Sequence, residues 1–413
     1  DEACPEMMSQ LHGPEKSLLP YFPGYKFEAG VSTYKGETVG EGGYVYAEPG
    51  MHYHVALLDI ASMHPHSLIA ECLFGPEFTR RFREIVEGRV NIKHEAWDIV
   101  NNMLGGVLTP YVQKVINGEM KTKDLANALK TAINSVYGLT SANFDNPFRD
   151  IRNKDNIVAK RGALFMIDLK EEVQKRGFTV AHIKTVSIKI PNATPEIIQF
   201  VMDFGRKYGY TFEHEATYDR MCLVNDAVYI CRYDDGHWDA TGTQFAVPYV
   251  FKTLFSKEKI EFNDLCETKS VTSALYLDMN EHLPDVSDAE KDLAKIETKF
   301  KKGEIDEAEY NTRKEEYGLI IATGHDYKFI GKVGAFCPIK PGCGGGLLVR
   351  EKDGKYYSAT GSKGYRWLES EMVQNNQDII DISYYKELVD AAVETISEYG
   401  DFEMFVSDIK EDN

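Results

Sequence analysis

His182-Ile-Lys-Thr-Val-Ser-Ile-Lys-Ile190 alternates apolar and polar residues on either side of a break at Lys184-Thr185-Val186. That pattern predicts two short strands, Phe178–Ile183 and Ser187–Ile190, closed by a tight turn. Two upstream stretches set its context. Asp59-Ile-Ala-Ser-Met-His-Pro-His-Ser67 follows the apolar run His52–Ile60, read as a buried strand with Asp59 at its carboxyl end. Lys130-Thr-Ala-Ile-Asn-Ser-Val-Tyr-Gly138 has helical spacing, so Lys130, Asn134 and Tyr137 share one face. Ahead of both, residues 42–50 read as a strand ending in a Pro49-Gly50 turn.

Outward from these segments, helical periods cover about 77–88, 94–103, 109–117 and 124–137, interrupted at Gly105-Gly106, as an α-helical hairpin. Residues 155–176 predict an amphipathic helix stopped by Gly177, and Pro195–Tyr208 another helix. Three strand-like runs are expected between 210 and 232, with Thr211–Glu215 in a strand. A charged stretch, Ser287–Gly318, predicts a solvated helical hairpin turning at Lys302-Gly303. Phe336–Leu348 reads as a Gly/Pro-rich loop and 383–398 as a last helix.

At 413 residues the chain has length for two or three domains and a substantial core. It has no run of 18 apolar residues and hence no membrane-spanning stretch. Asp1-Glu-Ala-Cys-Pro5 lacks the basic start and apolar stretch of a signal peptide and reads like the middle of a longer chain. Seven scattered cysteines, an odd number, suit reduced thiols in the cytoplasm. A net charge of −18 does not by itself suggest nucleic acid. Between Glu77 and Met166, however, basic residues outnumber acidic ones, from Arg80 and Arg81 through Lys130 to Arg149, Arg152, Lys154 and Arg161. One basic face inside an acidic protein is the expectation.

Asp-x-x-Ser-φ-x-Pro, then about 70 residues later Lys-x-x-x-Asn-Ser-x-Tyr-Gly, then a strand–turn–strand ending x-Thr-x-Ser resembles, in order and spacing, the polymerase core of family B DNA polymerases. Within that family the compact fingers and short lead-in look most like bacteriophage enzymes. The resemblance covers about residues 40–255 and rests on position alone from 256 to 413. It implies an α+β fold of right-hand type: a palm of antiparallel sheet plus helices, a helical fingers hairpin and a thumb. The implied boundaries are 1–74 for the lead-in and first part of the palm, 75–138 for the fingers, 139–240 for the rest of the palm, and 241–413 for a thumb carrying the hairpin 287–318. The implied reaction adds deoxynucleoside monophosphates to a primer 3′ end on a DNA template. Its cofactors are two Mg²⁺ ions, with Mn²⁺ as an alternative, and its partners are primer–template and dNTPs. The site of action is the cytoplasm, that of the host cell for a virus. Residues 1–40 hold none of the acidic motif of the editing exonuclease that precedes such cores, so a separate exonuclease domain or other replication proteins are expected partners.

Phosphoryl transfer of this type needs hard oxygen ligands for divalent ions, minimally two carboxylates on neighbouring strands. The resemblance assigns Asp59 and the Ile60 backbone to metal and Lys130 to the triphosphate. Ser62, Met63, His64, Lys123, Asn134, Tyr137 and Gly138 line the nucleotide, His64 under the sugar. Tyr229, Lys363 and Arg366 contact DNA. At the third motif the family carries Asp-Thr-Asp-Ser, and here Lys184 and Val186 stand at the two carboxylate positions. The expectation is therefore a polymerase impaired as written, or alternatively a catalytically silent DNA-binding or replication-scaffold protein that keeps the fold.

Overall fold

The computed structural model describes residues 18–40, 42–140, 142, 144, 156–280, 285–359 and 361–408. Its fold class is α+β, with antiparallel sheets. The chain divides into two compact units, residues 1–242 with 399–413, and 243–398. The second unit ends at Glu398, and the chain end from Tyr399 returns to the first. The reason is chemical: the buried Arg220 guanidinium donates from Nη1 to the carbonyls of Phe405 and Ser407, both at 2.8 Å, and so ties the chain end to the first unit.

In the first unit, three short strands, β1 (Lys26–Glu28), β2 (Val31–Tyr34) and β3 (Glu37–Val39), form a separate antiparallel sheet. The central sheet holds β4 (Val45–Ala47), β5 (Gly50–Ile60), β6 (His182–Lys184), β7 (Ser187–Ile190), β8 (Phe212–Asn225), β9 (Val228–Tyr233) and β10 (Trp238–Thr241). They lie in the order β10-β9-β8-β5-β7-β6-β4, every pair antiparallel. One face packs on helices: Leu58, Ile60, Ile188 and Ile190 share a core with Leu164, Phe165 and Val201 from the helices Ile157–Lys175 and Pro195–Lys207. Each such buried side chain stabilises the fold by roughly 1.5–3 kcal/mol. Alternation along β5 then sends Val55, Leu57 and Asp59 to the opposite face.

Three sequence expectations change here. The runs between 210 and 232 are not three strands but one long β8 followed by β9; register shifts along β8 break its alternation. The Ile157–Lys175 helix is not amphipathic, being buried all round from Ile157 to Leu169. The first strand of the 182–190 hairpin begins at His182 rather than Phe178. Gly75–Lys93 and Thr122–Thr140 pack together, with Trp97–Asn102 and Thr109–Ile116 between them in sequence, around a core of Ile92, Val100, Val112 and Leu125. Gly105, at φ 65°, makes the expected break.

The second unit is built on β11 (Glu267–Asp278), β12 (Tyr327–Ile339), β13 (Gly346–Lys352), β14 (Lys355–Ser358) and β15 (Arg366–Glu369). β12 pairs with β11 and β15, and β13 pairs with β15 and β11, so four strands close on one another with β14 outside. Closure leaves few unpaired edges. The expected loop 336–348 is confined to residues 340–345, because Phe336–Ile339 extends β12 and is paired with β15. The charged hairpin comprises Ser287–Lys301 and Glu307–Thr323, five residues longer than expected. Among the described residues, no helix is long and apolar enough to cross a membrane.

Candidate active site

Asp59 is set by the alternation of β5. Its neighbours Leu58 and Ile60 enter the core, and Asp59 lies on the opposite face of the sheet, in register with Ser187 of β7 and Glu213 of β8. On β8, Glu213 and Glu215 are two residues apart, and both bear electrostatically on Asp59. Glu215 falls in the bulge where the β5–β8 register shifts between Leu57 and Leu58. Burial, then Glu215, then Glu213 push the Asp59 carboxyl up to about 6 from 3.8. Its Oδ1 is buried and has no hydrogen-bond partner among the described residues.

A carboxyl raised in the folded state favours folding in its protonated form. Its contribution is full below pH 3.8 and lost as pH rises through about 6. We expect Asp59→Asn to reduce the loss of thermal stability between pH 5 and 7.5, by about 1–2 °C, and Mg²⁺ to do the same for the unmodified chain. Equal pH slopes for the two proteins in thermal denaturation, with and without Mg²⁺, would exclude Asp59 as the titrating group.

The 184–186 turn is stitched to β5. The Val186 carbonyl accepts the Ile60 N–H at 2.9 Å. Thr185 takes a left-handed conformation (φ 53°) and donates its N–H to the Tyr44 carbonyl at 2.9 Å. Gly43, at φ 118°, crosses this turn so closely that a Cβ would lie 2.8 Å from Thr185 Cγ2, which explains a glycine in the lead-in. Lys184 is exposed, and Val186 is half-buried against the edge of the main core. Because an amide N–H gives a cation no lone pair, the backbone atom that Ile60 can offer an ion is its carbonyl oxygen.

Beyond Asp59 the chain turns through Ser62 (φ 51°) into the helix Met63–Ala70. Ser62 makes no side-chain cap, and its carbonyl accepts the His66 N–H at 3.0 Å. Met63 is buried against Gly162, where a Cβ would meet its Sδ at 2.4 Å, so glycine lets the central helix pass beneath. At the other end, the buried Glu71 carboxylate accepts from Arg161 Nε at 2.8 Å.

His64 stacks on Tyr137 with ring centroids 5.4 Å apart and 10° between planes. Burial lowers the His64 pKa and raises that of Tyr137, so both rings are neutral at pH 7. His64 Nδ1 is buried with no partner among the described residues. The stack joins the first motif to the Thr122–Thr140 helix. From Tyr137, Asn134 and Lys130 continue along the same helix face, both exposed. Lys130 stands seven residues, about 10.5 Å, from Tyr137, and exposed Lys123 as far again. Gly138 is exposed, and a Cβ there would meet nothing within 4 Å, so no close approach explains it.

The DNA-contact candidates are not brought together in one unit. Tyr229 lies in the first, its ring under the ammonium of buried Lys189 at 4.0 Å. Lys189 also donates to His182 Nδ1 at 3.2 Å, and burial with the Lys189 charge lowers His182 to about 4. Lys363 and Arg366 lie in the second unit. Lys363 Nζ sits 5.6 Å from the Tyr384 ring, and Arg366 Nη2 donates to the Gly345 carbonyl at 3.0 Å. Arg149, Arg152 and Lys154 lie outside the described residues. Sequence reasoning missed Glu213 and Glu215 as neighbours of Asp59. Their period-two spacing was visible, but not the register that sets them beside Asp59. Among the described residues no group of three or more His, Cys, Asp or Glu side chains is arranged to hold a metal ion.

No family model matches the chain, and no curated protein matches it. Among solved structures it is similar to the family B DNA polymerase of the hyperthermophilic archaeon Pyrobaculum calidifontis, at 14% identity and a TM-score of 0.43. The match covers 88% of this chain and 46% of that one, so the chain spans about half the length of that polymerase.

Proposed function

We propose that the first unit is the palm and fingers of a family B-type DNA polymerase of bacteriophage kind, with the second unit in the place of a thumb. The reaction is addition of deoxynucleoside monophosphates to a primer 3′ end, impaired by Val186. One observation carries this reading: the Ile60–Val186 hydrogen bond and the His64–Tyr137 stack draw three sequence-distant motifs into one neighbourhood. Lys130 then holds the triphosphate as a point charge, Asn134 and Tyr137 flank the nascent pair, and the neutral His64 ring packs under the sugar. Ser62 and Met63 place helix N-terminal amides toward the phosphates. Tyr229, Lys363 and Arg366 are proposed to hold DNA.

The residues present fit the implied ions only in part. Asp59 offers one buried carboxylate oxygen with no hydrogen-bond partner among the described residues, a single hard donor of the kind Mg²⁺ or Mn²⁺ prefers, and Glu213 and Glu215 act on it through charge alone. Val186 offers no ligand atom, so the chain does not fit the two-carboxylate arrangement. In a complete two-carboxylate site one ion would lower the pKa of the attacking hydroxyl and the second would steady the departing pyrophosphate; the single carboxylate of Asp59 would hold at most one of them. The Val186 and Lys184 side chains equally favour a second reading, a silent polymerase-like protein that binds DNA without extending it.

Nucleotide binding tests the reading without requiring turnover. With primer–template present, a fluorescent methylanthraniloyl-dATP is expected to bind the unmodified chain, and Lys130→Ala to weaken it about 10–100-fold. Lys93→Ala, in the same basic stretch, should leave it unchanged. Equal affinities for the Lys130→Ala and unmodified proteins would remove Lys130 from the nucleotide site and the reading with it.

A further inference from the structure

The second unit contains a cavity of about 750 Å³ whose lining shares only Lys363 with the residues proposed to act on DNA or nucleotide. It opens among the short helices Thr243–Ala246 and Pro248–Phe251, the start of β11, the Gly361–Lys363 turn and the helix Ser383–Ser397. Val247, Pro248, Val250, Leu388 and Ala391 supply an apolar wall, and Tyr384 and Tyr385 an aromatic one. Both the volume and this mixture are those of small-ligand sites.

The polar lining is unevenly matched. Glu267 is paired with Lys269 at 2.9 Å and Asp264 with Lys252 at 2.8 Å. Lys363, exposed at the cavity, has no carboxylate within ion-pair distance among the described residues, and its ammonium lies over the Tyr384 ring. Tyr385 is fully buried, and its hydroxyl has no hydrogen-bond partner among the described residues.

We propose that this cavity binds an aromatic or apolar molecule carrying a single anionic group, with Lys363 facing the anion and the tyrosines and Leu388 enclosing the body. With Asp264 and Glu267 each matched by a lysine, Lys363 is, among the described residues, the one cation of the lining left for a ligand, a single charge that suits a monoanion rather than the triphosphate of the first unit's nucleotide. The proposal stands whether or not the chain synthesises DNA.

The probe is 8-anilinonaphthalene-1-sulfonate, an aromatic monoanion, titrated by fluorescence against the full chain. One saturable site is expected. Leu388→Trp, which fills the cavity, should weaken it at least tenfold, and Lys363→Glu about tenfold. Lys332→Glu, at an exposed position of β12 away from the cavity lining, should leave it unchanged. N-phenyl-1-naphthylamine, the uncharged relative, should bind the unmodified and Lys363→Glu proteins alike. Circular dichroism shows which variants are folded, and if Leu388→Trp is not, the two probes on surface Lys363→Glu still decide. Non-saturable binding, or a saturable site indifferent to Lys363→Glu, would overturn the proposal.

Discussion

Val186→Asp is expected to raise primer extension in Mg²⁺ or Mn²⁺ by about 10²–10³-fold or more, the scale on which a bridging carboxylate contributes to two-metal transfer. The substitution puts a carboxylate on the turn whose carbonyl already bonds to Ile60, next in sequence to Asp59. Valine now rests against the core edge, so the new side chain gives up some apolar contact. It also joins Asp59, Glu213 and Glu215, which repel one another without a cation. The variant should therefore be less stable than the unmodified chain in EDTA and regain stability in Mg²⁺ by linkage. Val186→Asn, matched in shape but uncharged, should not restore synthesis, and Asp59→Asn in the Val186→Asp background should abolish it. If Val186→Asp extends no primer while still shifting labelled primer–template, the silent DNA-binding reading is the one that stands.

Arg161→Met is expected to cost about 3–5 kcal/mol of stability, the effect of leaving a buried carboxylate without its partner. Arg161 is 1% exposed and Glu71 8%. Their contact fixes the end of the Met63–Ala70 helix to the central helix, and the start of that helix presents His64 to Tyr137. The guanidinium also lies 5.1 Å from the Tyr210 ring, a contact methionine partly keeps through packing. Chemical denaturation of Arg161→Met, of Glu71→Gln and of the pair Arg161→Met with Glu71→Leu separates the terms. The double variant, which removes both charges, should recover most of the loss. A single-variant cost below about 1 kcal/mol would mean that the pair is solvated and does not position the helix.

Much of the first unit could be read from residue order, and the reasons are local. The His52–Ile60 run, the turn at 184–186 and the face shared by Lys130, Asn134 and Tyr137 each declare themselves through period and punctuation. What stayed hidden depends on partners far away in sequence. Lys160, Arg161 and Asp168 made the central helix look half-exposed. In the fold, Lys160 lies over the Phe27 ring, Arg161 meets Glu71, and Asp168 accepts from Tyr34 and pairs with Lys35. Pro338 marked a loop by composition, yet it sits opposite Trp367 between paired strands. Glu213 and Glu215 read as ordinary strand polar residues, because only the β5–β8 register sets them against Asp59.

The proximity of Asp59 to position 186 is most directly tested by counting Mn²⁺ ions with electron paramagnetic resonance, in the unmodified, Val186→Asp, Asp59→Asn and doubly substituted proteins, with primer–template and a non-hydrolysable dNTP. Val186→Asp should gain one tightly bound ion that Asp59→Asn removes, a coupling two carboxylates show only when they share a ligand. A gain that persists without Asp59, or no gain at all, would mean that the first and third motifs do not meet in one site.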